Sequence, residues 1–255
     1  MQQERPPVPT DPPTGTAVPV RFRDDVTVEL VKHSASDTDV LWAARVSTAG
    51  EESLEELTKD PERSKGLINY LMRDRHGSPF EHNSMTFFIS APIFVFREFM
   101  RHRVGWSYNE ESGRYRELQP VFYVPSQDRK LVQQGRPGKY EFVHGTPEQH
   151  KAAVSAMEES YAQSYAAYQD MLAAGVAREV ARATLPVGLY SSMYATCNAR
   201  SLMHFLGLRT QHELAKVASF PQREIEMVGE RMEALWTDLM PLTHAAFNAN
   251  GRVAP

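Results

Sequence analysis

Between Arg101 and Tyr115 the chain reads RHRVGWSYNEESGRY, and few of these residues are suited to a core. Arg101, His102, Arg103 and Arg114 share the stretch with two adjacent carboxylates, Glu110 and Glu111, and with Ser107, Tyr108, Asn109, Ser112 and Tyr115. A guanidinium cannot lose its proton and presents a planar fork of donors, so clustered arginines match phosphate or carboxylate ligands. The apolar positions do not recur every three or four residues, which argues against an amphipathic helix. The stretch directly follows APIFVFREFM, an apolar run that has to be buried. A polar, Arg-rich segment hung on a buried element presents a site for an anion; the bland alternative is a solvated charged loop.

More arginines follow. Arg178 and Arg182 stand one helical turn apart, and Arg200 and Arg209 lie on or at the end of the next helix. Salt bridges to Glu179, Glu213 and the acidic segments would account for any one of them. Arg182, however, sits in small-apolar VARATLP and Arg209 ends apolar LMHFLGLR, where partial burial would demand an anionic partner. Together with Arg101, Arg103 and Arg114 they could line a phosphate pocket. Nucleophiles are weaker candidates. Cys197 reads as a small buried residue before a helix. Ser107 and Ser112 lie near His102, but spacing alone yields no Asp-His-Ser set, and hydrogen bonding to a ligand is the safer role. There is no GxGxxG after a strand, no GxxxxGK[ST], no HExxH and no paired cysteine, so no Rossmann-type dinucleotide site, P-loop or metal site is expected.

The elements that must position these residues follow from pattern. VTVELVK at 26–32 and MTFFISA at 85–91 read as strands, the second broken by Pro92. A helix over Ile93–Met100 leads into the polar stretch. Asp37 is placed as N-cap of a helix through DVLWAARVS, and Pro61 opens another that ends near His76-Gly77. Gln119–Pro125 reads as a short strand and 126–147 as a surface loop or insertion. Glu148–Ala173 is a long helix, Val176–Thr184 a short one, Gly188–Thr196 a strand. Asn198 caps ARSLMHFLGLR, with Leu202, Phe205 and Leu206 inward, and a last helix runs from about Pro221 to Leu239.

The chain of 255 residues is 42% hydrophobic and 24% charged, as in soluble globular proteins, with length for a sizeable core. A net charge of −4 argues against a surface built for nucleic acid, and one cysteine fits a reducing cytoplasm. No apolar run approaches the ~18 residues of a membrane span. Six prolines in the first twenty residues point to a disordered tail over 1–24, leaving 25–255 as one domain.

RHRVGWSYNEESGRY resembles the signature of the flavin-dependent thymidylate synthases: RHR, a spacer of eight residues, then Ser112. AARVS at 43–47, SPFEH at 78–82, AREVAR at 177–182, NARSL at 198–202 and LGLR at 206–209 match in the same order. The resemblance implies an α/β fold of the α+β type, a mostly antiparallel sheet packed with helices, the thymidylate synthase-complementing fold. It also implies conversion of dUMP to dTMP with methylenetetrahydrofolate as carbon donor and FAD reduced by NADPH, in a homotetramer with shared active sites. Carried over by motif, FAD falls to Ser78, Arg101, His102, Arg103, Glu110, Asn198, Ala199, Arg200 and His204. The nucleotide falls to Glu98, Phe99, Met100, Arg101, Glu110, Glu111, Ser112, Gly113, Arg114, Arg182 and Arg209. Arg209 would stabilise the N3 anion of the uracil, with no enzyme nucleophile on the ring. Position 98, often Gln in that family, is Glu here. Two other readings remain: an Arg-lined nucleotide- or RNA-binding module stacking bases on Trp106, Tyr108 and Tyr115, and a helical scaffold whose arginines form only salt bridges.

Overall fold

The computed structural model describes residues 19–49, 59–136 and 139–255. Its centre is a four-stranded antiparallel sheet. β2 (Thr27–Ser34), β3 (Ser84–Pro92), β8 (Tyr190–Cys197) and β4 (Trp106–Glu110) lie in the order β2-β3-β8-β4. β3 alternates strictly: Met85, Phe87, Ile89 and Ala91 are fully buried, while Thr86, Phe88 and Ser90 face the other side.

That buried face shares one core with residues of three helices: α6 (Ala199–Arg209), α7 (Arg223–Leu239) and α8 (Pro241–Ala249). Leu202, Phe205, Ile225, Met232, Trp236 and Phe247 are all inaccessible to solvent. Each side chain of this size contributes roughly 1.5–3 kcal/mol on burial, so the contact between helices and sheet dominates stability. α1 (Asp37–Ala49) and α2 (Pro61–Arg73) close the flank. A second core gathers Phe122, Tyr161, Tyr165, Tyr168 and Leu189 beneath the long helix α4 (Pro147–Ala173).

α3 (Ile93–Phe99) starts where Pro92 ends β3 and buries Val95, Phe96 and Phe99. It stops at Met100, and the polar stretch follows. That stretch is not a loop throughout, because residues 106–110 form β4 at the sheet edge. Trp106 and Tyr108 turn toward Phe99 and Phe205, and Ser107 and Asn109 turn to solvent.

Other expectations need correction. Residues 126–147 contain a hairpin, β6 (Val132–Arg136) with β7 (Lys139–Val143), whose first strand is mostly exposed and so lacks apolar alternation. The tail expected over 1–24 gives up Arg21–Arg23, which forms β1 parallel to β5 (Val121–Tyr123) while Val20 and Phe22 pack on the second core. Residues 1–18 and most of the acidic run 51–60 lie outside the described residues. Asp37 does not cap its own helix. Its carboxylate accepts from the backbone N–H groups of Leu242 and Thr243, capping α8, a helix absent from the sequence reading.

Candidate active site

The polar stretch and the distant helix α6 meet at Arg209. Its Nε donates to His102 Nε2 at 3.1 Å, one terminal nitrogen donates to Glu98 Oε2 at 2.7 Å, and the other reaches the Glu98 carbonyl at 3.4 Å. The carbonyl of His102 in turn accepts from the Tyr108 hydroxyl at 2.6 Å, which ties the RHR turn to β4. Burial, then the neighbouring Arg209 and His204, push His102 down to about 4. The imidazole is therefore neutral, and accepting at Nε2 fixes its proton on Nδ1. Glu98 is pushed up, first by burial and also by Glu224, although the Arg209 charge opposes this.

On the other side of His102 a cleft of about 350 Å³ is lined by Glu81, His102, Arg103, Trp106, Arg200, Ser201 and His204. Gly105 turns the chain at its rim with φ +70°, and a Cβ there would collide with the Ser201 hydroxyl. Ser201 Oγ donates to the Val104 carbonyl, joining the rim to α6. Gly77 leaves room for the Arg200 guanidinium, which pairs with Glu81 at 2.5 Å and donates to the Pro255 carbonyl at 2.6 Å. Two guanidiniums, an indole and two imidazoles around one opening suit a large aromatic cofactor carrying phosphates, so these residues fit a flavin dinucleotide.

Beyond β4 a second group assembles. Glu110, half-buried, is pushed up by burial, while Ser191 and Arg182 oppose the shift. Gly113 is buried where a Cβ would press on Leu118 and, at 3.2 Å, on the Arg182 side chain. Ser112 Oγ accepts from the Arg114 N–H at 3.3 Å. Arg114 pairs with Glu179, and Glu111 with Arg116.

The structure thus joins Glu98 and His102 at Arg209, lines one cleft with His102, Arg103, Arg200 and His204, and sets Glu110 and Gly113 near Arg182, while Arg101 is exposed. Arg182 is exposed, against the partial burial expected from VARATLP, because its four-residue helix α5 (Arg178–Ala181) buries only Ala181 and the chain then tightens to a 3-10 turn. Three other residues are placed differently from a simple lining role. Phe99 is fully buried in an aromatic cluster with Trp106, Tyr108 and Phe205. Ala199 is buried and its N–H is donated to Asn83. Asn198 caps α6 by accepting from Ser201 N. Ser78 lines a neighbouring cleft with Arg45, Tyr70 and His76. Met100 is half-buried against the main core. The sequence reading had no place in the cleft for Glu81 or Ser201, although SPFEH and NARSL contain them. Cys197 is 2% exposed and burial pushes its thiol up, so it presents no thiolate.

An antiparallel sheet backed by helices, with Arg209 bonded to a neutral histidine and Arg103 and Arg200 lining the cleft beside it, suits a binder of phosphorylated aromatic ligands. The family model described as "Thymidylate synthase complementing protein" matches residues 29–242, and the chain belongs to that family, the flavin-dependent thymidylate synthases. It is 82% identical over 248 residues to a flavin-dependent thymidylate synthase of Streptomyces coelicolor, covering 97% of this chain and 99% of that one. A counterpart in Tropheryma whipplei is 59% identical over 235 residues, 92% of this chain and 97% of its own length. A solved UMP/dUMP methylase from Streptomyces cacaoi, bound with 5-Br dUMP, superposes with a TM-score of 0.87 at 56% identity. It is matched over 92% of this chain and 100% of its own.

Proposed function

We propose that this chain methylates dUMP to dTMP, with methylenetetrahydrofolate as carbon donor and NADPH as the source of electrons for FAD. The observation that carries the reading is the Arg209–His102 contact, which joins the nucleotide-type and flavin-type segments at one point. Arg103, Arg200, His204 and the Nδ1–H face of His102 would hold the flavin, which when bound supplies the reducing equivalents. Arg182, Arg114 and Ser112 would hold the nucleotide phosphate and sugar, with Glu110 beside Arg182. Arg209 would hold the uracil edge and stabilise its N3 anion. A fixed cation aimed at developing charge in a site with little water contributes a few kcal/mol to catalysis.

The family match over 29–242 supports one catalytic domain over 25–255. A homotetramer with shared sites is part of the same reading. Its support is the sheet face turned from the helices, where Phe88 packs on Tyr194, itself 49% exposed, and Val104 at the cleft rim, 91% exposed. Net charge −4 and one buried cysteine support a cytoplasmic enzyme that takes a mononucleotide and not a nucleic acid. No described helix is long and apolar enough to cross a membrane.

The test begins with colour: purified protein is yellow, or becomes so with FAD. NADPH oxidation is then followed with dUMP, with UMP and with neither, and dTMP formation is assayed in Arg209→Ala. A colourless protein that takes up no FAD rejects the enzyme. Full dTMP formation by Arg209→Ala rejects the role given to Arg209, whose removal should cost about 10²–10³-fold, as for other anion-stabilising donors.

A further inference from the structure

If Arg209 holds the uracil as its N3 anion, the N3 proton must go somewhere. Arg209 cannot take it, because a guanidinium in a protein stays protonated. Two groups with lone pairs touch Arg209, namely His102 Nε2 and Glu98 Oε2. The His102 lone pair already accepts the Arg209 Nε–H. Glu98 has lone pairs to spare: its Oε2 accepts one proton of a terminal nitrogen, a carboxylate can accept several, and its side chain is 29% exposed.

From this geometry we infer that Glu98 is the catalytic base that accepts the N3 proton of the bound uracil. The inference rests on the dUMP reading above and deepens it. The N3–H bond breaks, a bond from that proton to Glu98 Oε2 forms, and the electron pair stays on the ring, spread over N3, O2 and O4 beside Arg209. No other reactant enters, and the proton returns when product leaves. The arithmetic of charge favours the step. Before transfer the site holds a guanidinium, a carboxylate and a neutral base; afterwards it holds a guanidinium, a carboxylic acid and an anionic base. Net charge is unchanged, so no extra ion has to be accommodated away from water. Arg209 exchanges one anionic partner for another.

The groups around Glu98 are disposed to help. From α6 it faces Arg209, which His102 holds in place. From α7 it faces Glu224, which is engaged by Arg129 at 2.7 Å and by the Tyr123 hydroxyl at 2.5 Å. Burial and Glu224 together raise the proton affinity of Glu98 against the opposing charge of Arg209, whereas His102 has been pushed the other way.

The experiment uses FAD-loaded protein and dUMP carrying ¹⁵N at N3. Calorimetry first shows binding to wild type and to Glu98→Gln, a residue of the same shape that can hydrogen-bond but cannot accept the proton. In wild type at neutral pH the labelled N3 should show no attached proton. In Glu98→Gln the N3–H signal should persist and disappear only at alkaline pH. dUMP-dependent NADPH oxidation should fall about 100-fold at neutral pH, the low end for loss of a general base, and recover as pH rises. A retained N3–H in bound wild type, or the same pH profile in both proteins, overturns the proposal while leaving the nucleotide reading intact. Absence of dUMP binding to wild type overturns both.

Discussion

Arg209 Nε and His102 Nε2 lie 3.1 Å apart, although 107 positions separate them in the chain. This bond makes the imidazole an acceptor toward Arg209 at Nε2 and leaves Nδ1–H as its donor, on a ring that also lines the cleft. Protonating it would remove the acceptor and set two cations against each other.

A pH dependence follows. His102 titrates at about 4 in the fold against an ordinary 6.5. Its folded value is depressed, so the unfolded chain binds the proton first as pH falls. Stability should therefore decline as pH drops from 6.5 toward 4, and this contribution should level off below. His102→Asn keeps an acceptor for Arg209 but cannot titrate. Its melting temperature should fall less steeply across that window, as measured by thermal denaturation at a series of pH values. An equal slope in the two proteins would remove His102 as the cause.

The support behind Arg209 gives a second expectation. Arg252 is buried, with φ +56°, and donates to both oxygens of Glu233 at 2.6 and 2.7 Å and to the hydroxyl of Thr210, the residue after Arg209, at 3.0 Å. Burial alone would raise Glu233, but Arg252 and His244 outweigh it and hold its carboxyl at about 2. Because that value is depressed, the stabilisation is complete above 4.5 and is lost as pH falls through about 2. Arg252→Met leaves a carboxylate that is only 16% exposed without its main partner and should cost about 3 kcal/mol, the low end for breaking a buried pair. Urea denaturation measures the loss directly, and a change under 1 kcal/mol would contradict the role given to this pair.

How much of this could be read in the residues themselves depends on where the information lies. β3 and α6 announce themselves, because MTFFISA alternates and LMHFLGLR repeats helically, and both patterns record one-sided burial within a short window. The RHR stretch was legible as chemistry but not as structure. Among the described residues β4 pairs only with β8, some ninety residues downstream, and its inward Trp106 and Tyr108 find their partners Phe99 and Phe205 through the sheet. Helix α8 was hidden by Pro241, which reads as a stop but serves as a first-turn proline once Asp37, more than two hundred residues upstream, caps the new helix. Arg182 and Arg209 looked alike in composition. Only α6, long and packed on the sheet, draws its terminal arginine inward, whereas a single turn of helix leaves Arg182 in solvent.

The two cleft arginines separate binding from stability. Arg103 is exposed and makes no ion pair with a described residue, so a phosphate-bearing cofactor would be its principal partner. Arg200 also pairs with Glu81 and donates to the Pro255 carbonyl, so it holds the 78–81 turn and the final residues onto α6. Arg103→Ala should weaken FAD binding by about tenfold, the ~1.5 kcal/mol typical of one charge-assisted hydrogen bond, with an apo melting temperature like wild type. Arg200→Ala should weaken FAD by a similar factor and also lower the apo melting temperature. Fluorescence titration of FAD and thermal denaturation of the apo protein measure the two quantities independently. Arg103→Ala with unchanged FAD affinity would take Arg103 out of the flavin site. A melting temperature that moves equally in both variants would show that Arg103, too, serves the fold.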